Sequence, residues 1–178
     1  MKIALVGSHG TGKSSAANHL GALLKKHDPS KSVKVLEENV REVARLANNQ
    51  INTPEFQKLC FTHHLYHEFL YEALYNVLIC DRSAVDTLVY GLASGVSLPS
   101  EYFNVALLNL NKFDHVFFVR PDALDAKIAV DGFRSVDVEF RGKVDMFFEH
   151  VLKLWGGKYT EIRTREVFSF DYLNEMGL

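Results

Sequence analysis

Residues 7–14 read G-S-H-G-T-G-K-S, and they follow the apolar run I-A-L-V of residues 3–6. A segment rich in Ala and Leu comes directly after them, with the pattern of a helix. A glycine-rich turn between a strand and a helix lets successive backbone N–H groups point inward at an anion, and the positive end of the helix adds to that attraction. The pattern G-x-x-x-x-G-K-[ST] in this setting predicts a phosphate-binding loop, or P-loop.

The loop predicts a set of nucleotide contacts. Lys13 is expected to bridge the β- and γ-phosphates of a bound nucleotide, and Ser14 is expected to ligate Mg²⁺. A glycine-rich turn with no ligand would leave Lys13 without a role. We therefore expect a nucleoside triphosphate and Mg²⁺ as cofactors, with nucleotide contacts from Gly7, His9, Gly10, Thr11, Gly12, Lys13, Ser14 and Ser15.

The bulk properties are those of one globular domain covering residues 1–178. Hydrophobic residues make up 47% of the chain and charged residues 24%, which excludes disordered and fibrous classes. The net charge of −2 argues against a generally basic nucleic-acid surface, while a local basic groove stays open. The two cysteines are too few for a disulfide framework or a zinc site, so we expect reduced thiols. With a predicted strand that begins at residue 2 and no apolar run of membrane-spanning length, we expect a cytoplasmic protein without a membrane partner.

Short apolar runs alternate with longer helical patterns along the chain, which is typical of βαβ units around a mainly parallel sheet. The runs predict strands at residues 2–6, 33–37, 77–81 and 115–119, with a weaker one within 159–168. Helices are predicted at 13–27, 40–48, 54–75, 83–94 and 99–110. Later apolar side chains recur at helical spacing and are interpreted as a face of the core; they are Val144, Phe148, Val151 and Trp155. The least regular stretch, residues 122–141, is a candidate lid.

Charged residues follow two of the predicted strands. Asp81 ends the third strand, at the edge where ligands bind in such sheets, and is a candidate to hold Mg²⁺ or its water shell; the alternative is a helix cap. Arg82, next along, can point to phosphate or to solvent. Glu37 and Glu38 end the second strand, and since side chains alternate, one of them is expected to accept a proton from a substrate hydroxyl. The alternative for this pair is a charged helix N-terminus.

Two arginines in the candidate lid, Arg134 and Arg141, are candidates to close over a transferred phosphoryl group. Two other patterns are interpreted as structural. The sequence N-K-F-D at residues 111–114 has the letters of a guanine-reading motif, but it precedes a strand instead of following one. The histidines at positions 63, 64 and 67 lack the further ligands of a metalloprotease site and are interpreted as a helix face.

With these residues in place, the chain resembles the P-loop kinases of nucleosides and nucleotides, in particular the AAA-like ATPase branch that includes the nicotinamide-riboside kinase domain. The shared elements are the P-loop, E-x-x-R at residues 38–41, D-R-S at 81–83 and D-G-F-R-S at 131–135. The resemblance implies a three-layer α/β P-loop fold with a parallel five-stranded sheet and a lid. It also implies Glu38 as a substrate-side carboxylate, and Arg41 and Arg82 as substrate or phosphate contacts.

The expected activity is Mg-ATP-dependent transfer of the γ-phosphoryl group to a nucleoside- or nucleotide-like acceptor, with Lys13, Glu38, Asp81, Arg134 and Arg141 as catalytic candidates. Glu37 stays a candidate substrate contact beside Glu38. Related compact kinases act on hydroxymethylated DNA bases and on polynucleotide ends, so a nucleic-acid acceptor stays open. So does a P-loop switch that uses water as the acceptor. The sequence gives neither the acceptor nor the oligomeric state.

Overall fold

Most strands of the protein consist largely of apolar residues, many of them β-branched, which fit a sheet covered on both faces. A computed structural model describes residues 1–38, 40–46, 53–121, 137–163, 168–175 and 177. Its strands form one parallel sheet in the order β2-β3-β1-β4-β5. They are β1 (Lys2–Val6), β2 (Val33–Leu36), β3 (Val77–Asp81), β4 (His115–Arg120) and β5 (Thr160–Arg163). The predicted parallel five-stranded sheet is thereby confirmed.

The helices begin and end at residues suited to those positions. Thr53 accepts a hydrogen bond from the backbone of Phe56, and Ser83 and Asp86 form a reciprocal capping box. Gly156 ends another helix in the left-handed conformation. The helices are α1 (Lys13–His27), α2 (Val40–Leu46), α3 (Pro54–Leu74), α4 (Ala84–Ala93), α5 (Ser100–Leu110), α6 (Val138–Trp155) and α7 (Phe170–Glu175). Only α7 has no counterpart among the sequence predictions, and residues 47–52 lie outside the described ranges.

Successive residues of each strand point to opposite faces, which produces the three layers. Ile3 and Leu5 of β1 pack in a cluster with α1 and α7, whereas Ala4 and Val6 pack in a second cluster with α3, α4, α5 and α6. Val144, Phe148 and Val151 of α6 are fully buried in the second cluster, and Trp155 packs against it. The predicted core face of this helix is therefore confirmed.

The topology brings several strand ends to one edge of the sheet. Leu5 of β1 lies in register with Asp81 of β3, so residues 7–14 and Asp81 meet beyond the carboxyl ends of these strands. The N-K-F-D sequence connects α5 to β4 at the opposite edge, where the backbone N–H of Lys2 donates to Asp114. That sequence is therefore a structural connection, as predicted. Of the candidate lid, residues 122–136 lie outside the described ranges, Asp137 caps α6, and residues 138–141 form the first turn of that helix.

Candidate active site

The phosphate-binding loop has a backbone conformation that only glycine adopts readily at several of its positions. Gly7 has a φ of 140°, and a Cβ built there would lie 2.4 Å from the carbonyl oxygen of Val119. Gly10 and Gly12 have φ values of 71° and 81°, in the left-handed region that favours glycine. The loop therefore packs directly against β4, and its curled shape requires the glycines of the motif.

Lys13 is buried inside this loop. Its Nζ donates to the carbonyl oxygen of Ser8 at 2.5 Å and to Oγ1 of Thr11 at 3.3 Å. Burial, together with the nearby positive charge of Arg82, lowers the pKa of Lys13 from 10.5 to about 8. A buried ammonium with a lowered pKa is stabilised by an anion placed against it, which fits a phosphate group.

Ser14 and Asp81 lie in contact at the start of α1 and the end of β3. The Ser14 hydroxyl donates to the Asp81 carboxylate at 2.5 Å, and the Asp81 side chain is buried. A hydroxyl and a carboxylate are hard oxygen donors of the kind that Mg²⁺ prefers. The two residues named from the sequence as metal ligands are thus brought together, and their donor set fits this ion.

Arg82 points into the site. Its guanidinium is 2.8 Å from the Glu38 carboxylate and 3.6 Å from the Asp86 carboxylate, and the residue is 8% exposed. Burial opposes its charge, but Glu38, with Tyr90 and Asp86, raises the pKa of Arg82 well above its usual range. Its φ of 93° is sparsely populated by residues with a side chain, and such strain is typical of functional sites.

The two glutamates after β2 have different surroundings. Glu38 is held by Arg82, whereas the side chain of Glu37 is exposed. Arg41 lies in α2, but its side chain is outside the described part of the chain, as is the whole of Arg134. The structure thus brings Glu38 to the site and leaves Glu37 at the surface.

Arg141 and His9 reach the loop from the α6 side. The Arg141 guanidinium donates to the carbonyl oxygen of Gly10 at 3.4 Å, and its side chain is 1% exposed. The His9 ring is buried, with Nδ1 3.0 Å from the Tyr90 hydroxyl. Thr11 donates to the Ser8 carbonyl oxygen, which closes the loop, and Ser15 is exposed in the first turn of α1.

Sequence reasoning missed two residues at this site, Asp86 and Tyr90. They follow Arg82 at intervals of four residues, the spacing that places side chains on one side of a helix. Asp86 pairs with the Arg82 guanidinium, and the Tyr90 ring centroid is 4.8 Å from it. The repeated spacing was the only signal in the sequence, and an ordinary helix face shows the same spacing.

A family model described as an AAA domain matches residues 2–168. The chain belongs to this family. A search of curated proteins found no significant match to this chain.

Among solved structures, this AAA domain is similar to deoxyadenosine kinase from M. mycoides with bound dATP. The identity is 15%, the TM-score is 0.66, and the alignment covers 99% of this chain and 97% of that chain. Thymidylate kinase from Ehrlichia chaffeensis is also similar, with 20% identity, a TM-score of 0.57, and 99% and 94% of the two chains covered. At these identities the likeness shows the fold, which agrees with the predicted P-loop kinase-like architecture.

The AAA domain has one further cluster of metal-ligand types within its described ranges. Ligand atoms of His64, Glu68 and Cys80 lie within 4.8 Å of one another, all buried. However, the Lys2 ammonium is 2.6 Å from the Glu68 carboxylate, and Asn109 donates to the same oxygen at 2.6 Å. Because a positive group already neutralises this carboxylate, we interpret the cluster as a buried ion-pair network.

None of the helices in the described residues is long and apolar enough to span a membrane.

Proposed function

We propose that this AAA domain, as a single unit of residues 1–178, is a Mg-ATP-dependent kinase that phosphorylates a nucleoside- or nucleotide-like acceptor. The observation that carries the proposal is the ion pair between the buried Arg82 and the half-buried Glu38 beside the phosphate-binding loop. An enzyme that uses water needs little beyond a way to orient it, whereas this pair offers a carboxylate and a guanidinium to a larger acceptor. Two structures with a similar fold are kinases, by their names, and one was solved with bound dATP.

The donor side of the site is the loop itself. Its backbone and Lys13 would hold the phosphates, and Ser14 and Asp81 would hold Mg²⁺. Bound Mg²⁺ would neutralise charge on the phosphate oxygens as the transfer proceeds. The Ser14–Asp81 contact supports this assignment, because both oxygens already face one another at the end of β3.

On the acceptor side, Glu38 would orient the acceptor hydroxyl and take its proton, and Arg82 would hold the Glu38 carboxylate in position. Arg41 would add a contact to the acceptor from the same segment, whereas the exposed Glu37 has no part in this proposal. Arg141 would contribute positive charge near the transferred group, and Arg134 would do so from the lid. Phosphoryl transfer depends mainly on position and charge, so this set is sufficient for the reaction.

The proposal is tested by measuring ADP release from Mg-ATP with and without a pool of nucleosides and deoxynucleotides. A kinase is expected to release ADP much faster when its acceptor is present, and Lys13→Ala is expected to lose that release. Equal ADP release with and without the pool, lost in Lys13→Ala, would show instead a hydrolase that uses water.

A further inference from the structure

Tyr90 of α4 contacts both halves of the site. Its ring lies against the Arg82 guanidinium, with 4.8 Å between the guanidinium carbon and the ring centroid. Cations placed over an aromatic face at this distance are attracted by the ring electrons. Arg82 therefore has three partners on one side of the site, the Glu38 and Asp86 carboxylates and the Tyr90 ring.

The other end of Tyr90 reaches the phosphate-binding loop. Its hydroxyl lies 3.0 Å from Nδ1 of His9, the third residue of the loop, and His9 is 3% exposed. Phe140 of α6 packs against both rings, with centroids 6.1 Å from His9 and 6.5 Å from Tyr90. The phenol is thus held between the loop and α6.

We propose that Tyr90 is a positioning residue that links the phosphate-binding loop to Arg82, and so links the donor side of the reaction to the acceptor side. The part of the proposal that concerns Arg82 and the acceptor rests on the proposed kinase function. The Tyr90 hydroxyl contacts the loop at His9. The Tyr90 ring packs against the Arg82 guanidinium, which in turn pairs with Glu38. Arg82 needs such support because its backbone is strained: a residue with a φ of 93° keeps that conformation only when its surroundings hold it there.

The Tyr90 hydroxyl also hydrogen-bonds the Arg82 side chain, so two substitutions remove the contacts in steps. Tyr90→Phe keeps the ring under Arg82 and removes the hydroxyl, whereas Tyr90→Leu removes both. Tyr75→Phe is the matched control, since Tyr75 lies between α3 and the amino end of β3, away from the loop. Each variant is compared with wild type in its affinity for a non-hydrolysable ATP analogue, in kcat and KM for the acceptor, and in Tm.

Tyr90→Phe is expected to weaken binding of the analogue about fivefold, as for the loss of the hydrogen bond to His9, and to raise the KM for the acceptor by no more than about threefold, because the ring still supports Arg82. Tyr90→Leu is expected to raise the KM for the acceptor about tenfold in addition. Tyr75→Phe should match wild type in both. A His9→Ala background should abolish the further effect of Tyr90→Phe on binding of the analogue, because the partner of the hydroxyl in the loop is then already absent.

A Tyr90→Phe variant with wild-type affinity for the analogue, or one that weakens binding equally with and without His9, would overturn the link to the loop. A Tyr90→Leu variant that lowers Tm but leaves the KM for the acceptor unchanged would overturn the link to Arg82. If wild type transfers phosphate to no acceptor, the kinase proposal fails and the acceptor half of this inference fails with it. The comparison of analogue affinities would then still decide the contact with His9.

Discussion

Glu38→Gln is the change that separates chemistry from stability at this site. The substitution keeps the size of the side chain and its ability to accept a hydrogen bond from Arg82, but it removes the charge that would accept a proton. Loss of a positioned base typically lowers turnover by about 100-fold or more. That factor corresponds to about 2.7 kcal/mol of transition-state stabilisation.

The expected loss of stability is smaller. Breaking a fully buried ion pair by removing one partner costs about 3–5 kcal/mol. Here the Glu38 side chain is 21% exposed, and Arg82 keeps the Asp86 carboxylate at 3.6 Å and the Tyr90 ring. We therefore expect the free energy of unfolding to fall by about 1–2 kcal/mol, which leaves a domain of ordinary stability folded.

The assay measures kcat with the acceptor at saturation and unfolding in urea, for wild type, Glu38→Gln and Glu37→Gln. Glu37 is the neighbouring residue with an exposed side chain, so its variant should keep kcat and stability close to wild type. The reasoning is refuted if Glu38→Gln turns over like wild type. It is equally refuted if Glu37→Gln, and not Glu38→Gln, loses turnover.

Two further measurements test the loop and one tests the core. Lys13 in the free protein has a pKa lowered from 10.5 to about 8, and bound phosphate favours its charged form. Binding of a nucleoside triphosphate at pH 8–9 should therefore take up protons, as read by calorimetry in buffers of different ionisation enthalpy; no uptake would contradict the lowered pKa of Lys13. Gly7→Ala should lower the free energy of unfolding by about 2–3 kcal/mol, because its Cβ would lie 2.4 Å from Val119. Gly95→Ala, with φ +75° and open space, should cost only about 1 kcal/mol, and equal costs would argue against the close approach. Phe148→Ala in the core should cost about 3–5 kcal/mol in urea unfolding, and a cost below 1 kcal/mol would contradict its burial.

The fold was predictable because its local signals agree with one another. The strand, glycine-rich loop and helix at the start of the chain define the first βα unit, and later apolar runs repeat the alternation. The helix α7 was not predicted, because six residues are too few to show a clear helical period. Its Leu173 is nevertheless fully buried against the sheet.

The site was predictable in part. Lys13, Ser14 and Asp81 follow from the motif and from the end of a strand, so the sequence locates them. Alternation along a strand predicts that the side chains of Glu37 and Glu38 point in opposite directions. It does not predict which one turns toward the site, because that depends on where β2 ends. The direction of Arg82 depends on a backbone angle that no sequence pattern encodes.

The most direct test of the kinase proposal is to incubate the protein with Mg-ATP and a panel of possible acceptors, beside Lys13→Ala, and to read the products by mass spectrometry. The panel contains nucleosides, deoxynucleotides, nicotinamide riboside and hydroxymethylated DNA. We predict a gain of one phosphate on one class of acceptor, absent with Lys13→Ala. Release of ADP with no phosphorylated acceptor in the panel would contradict the account.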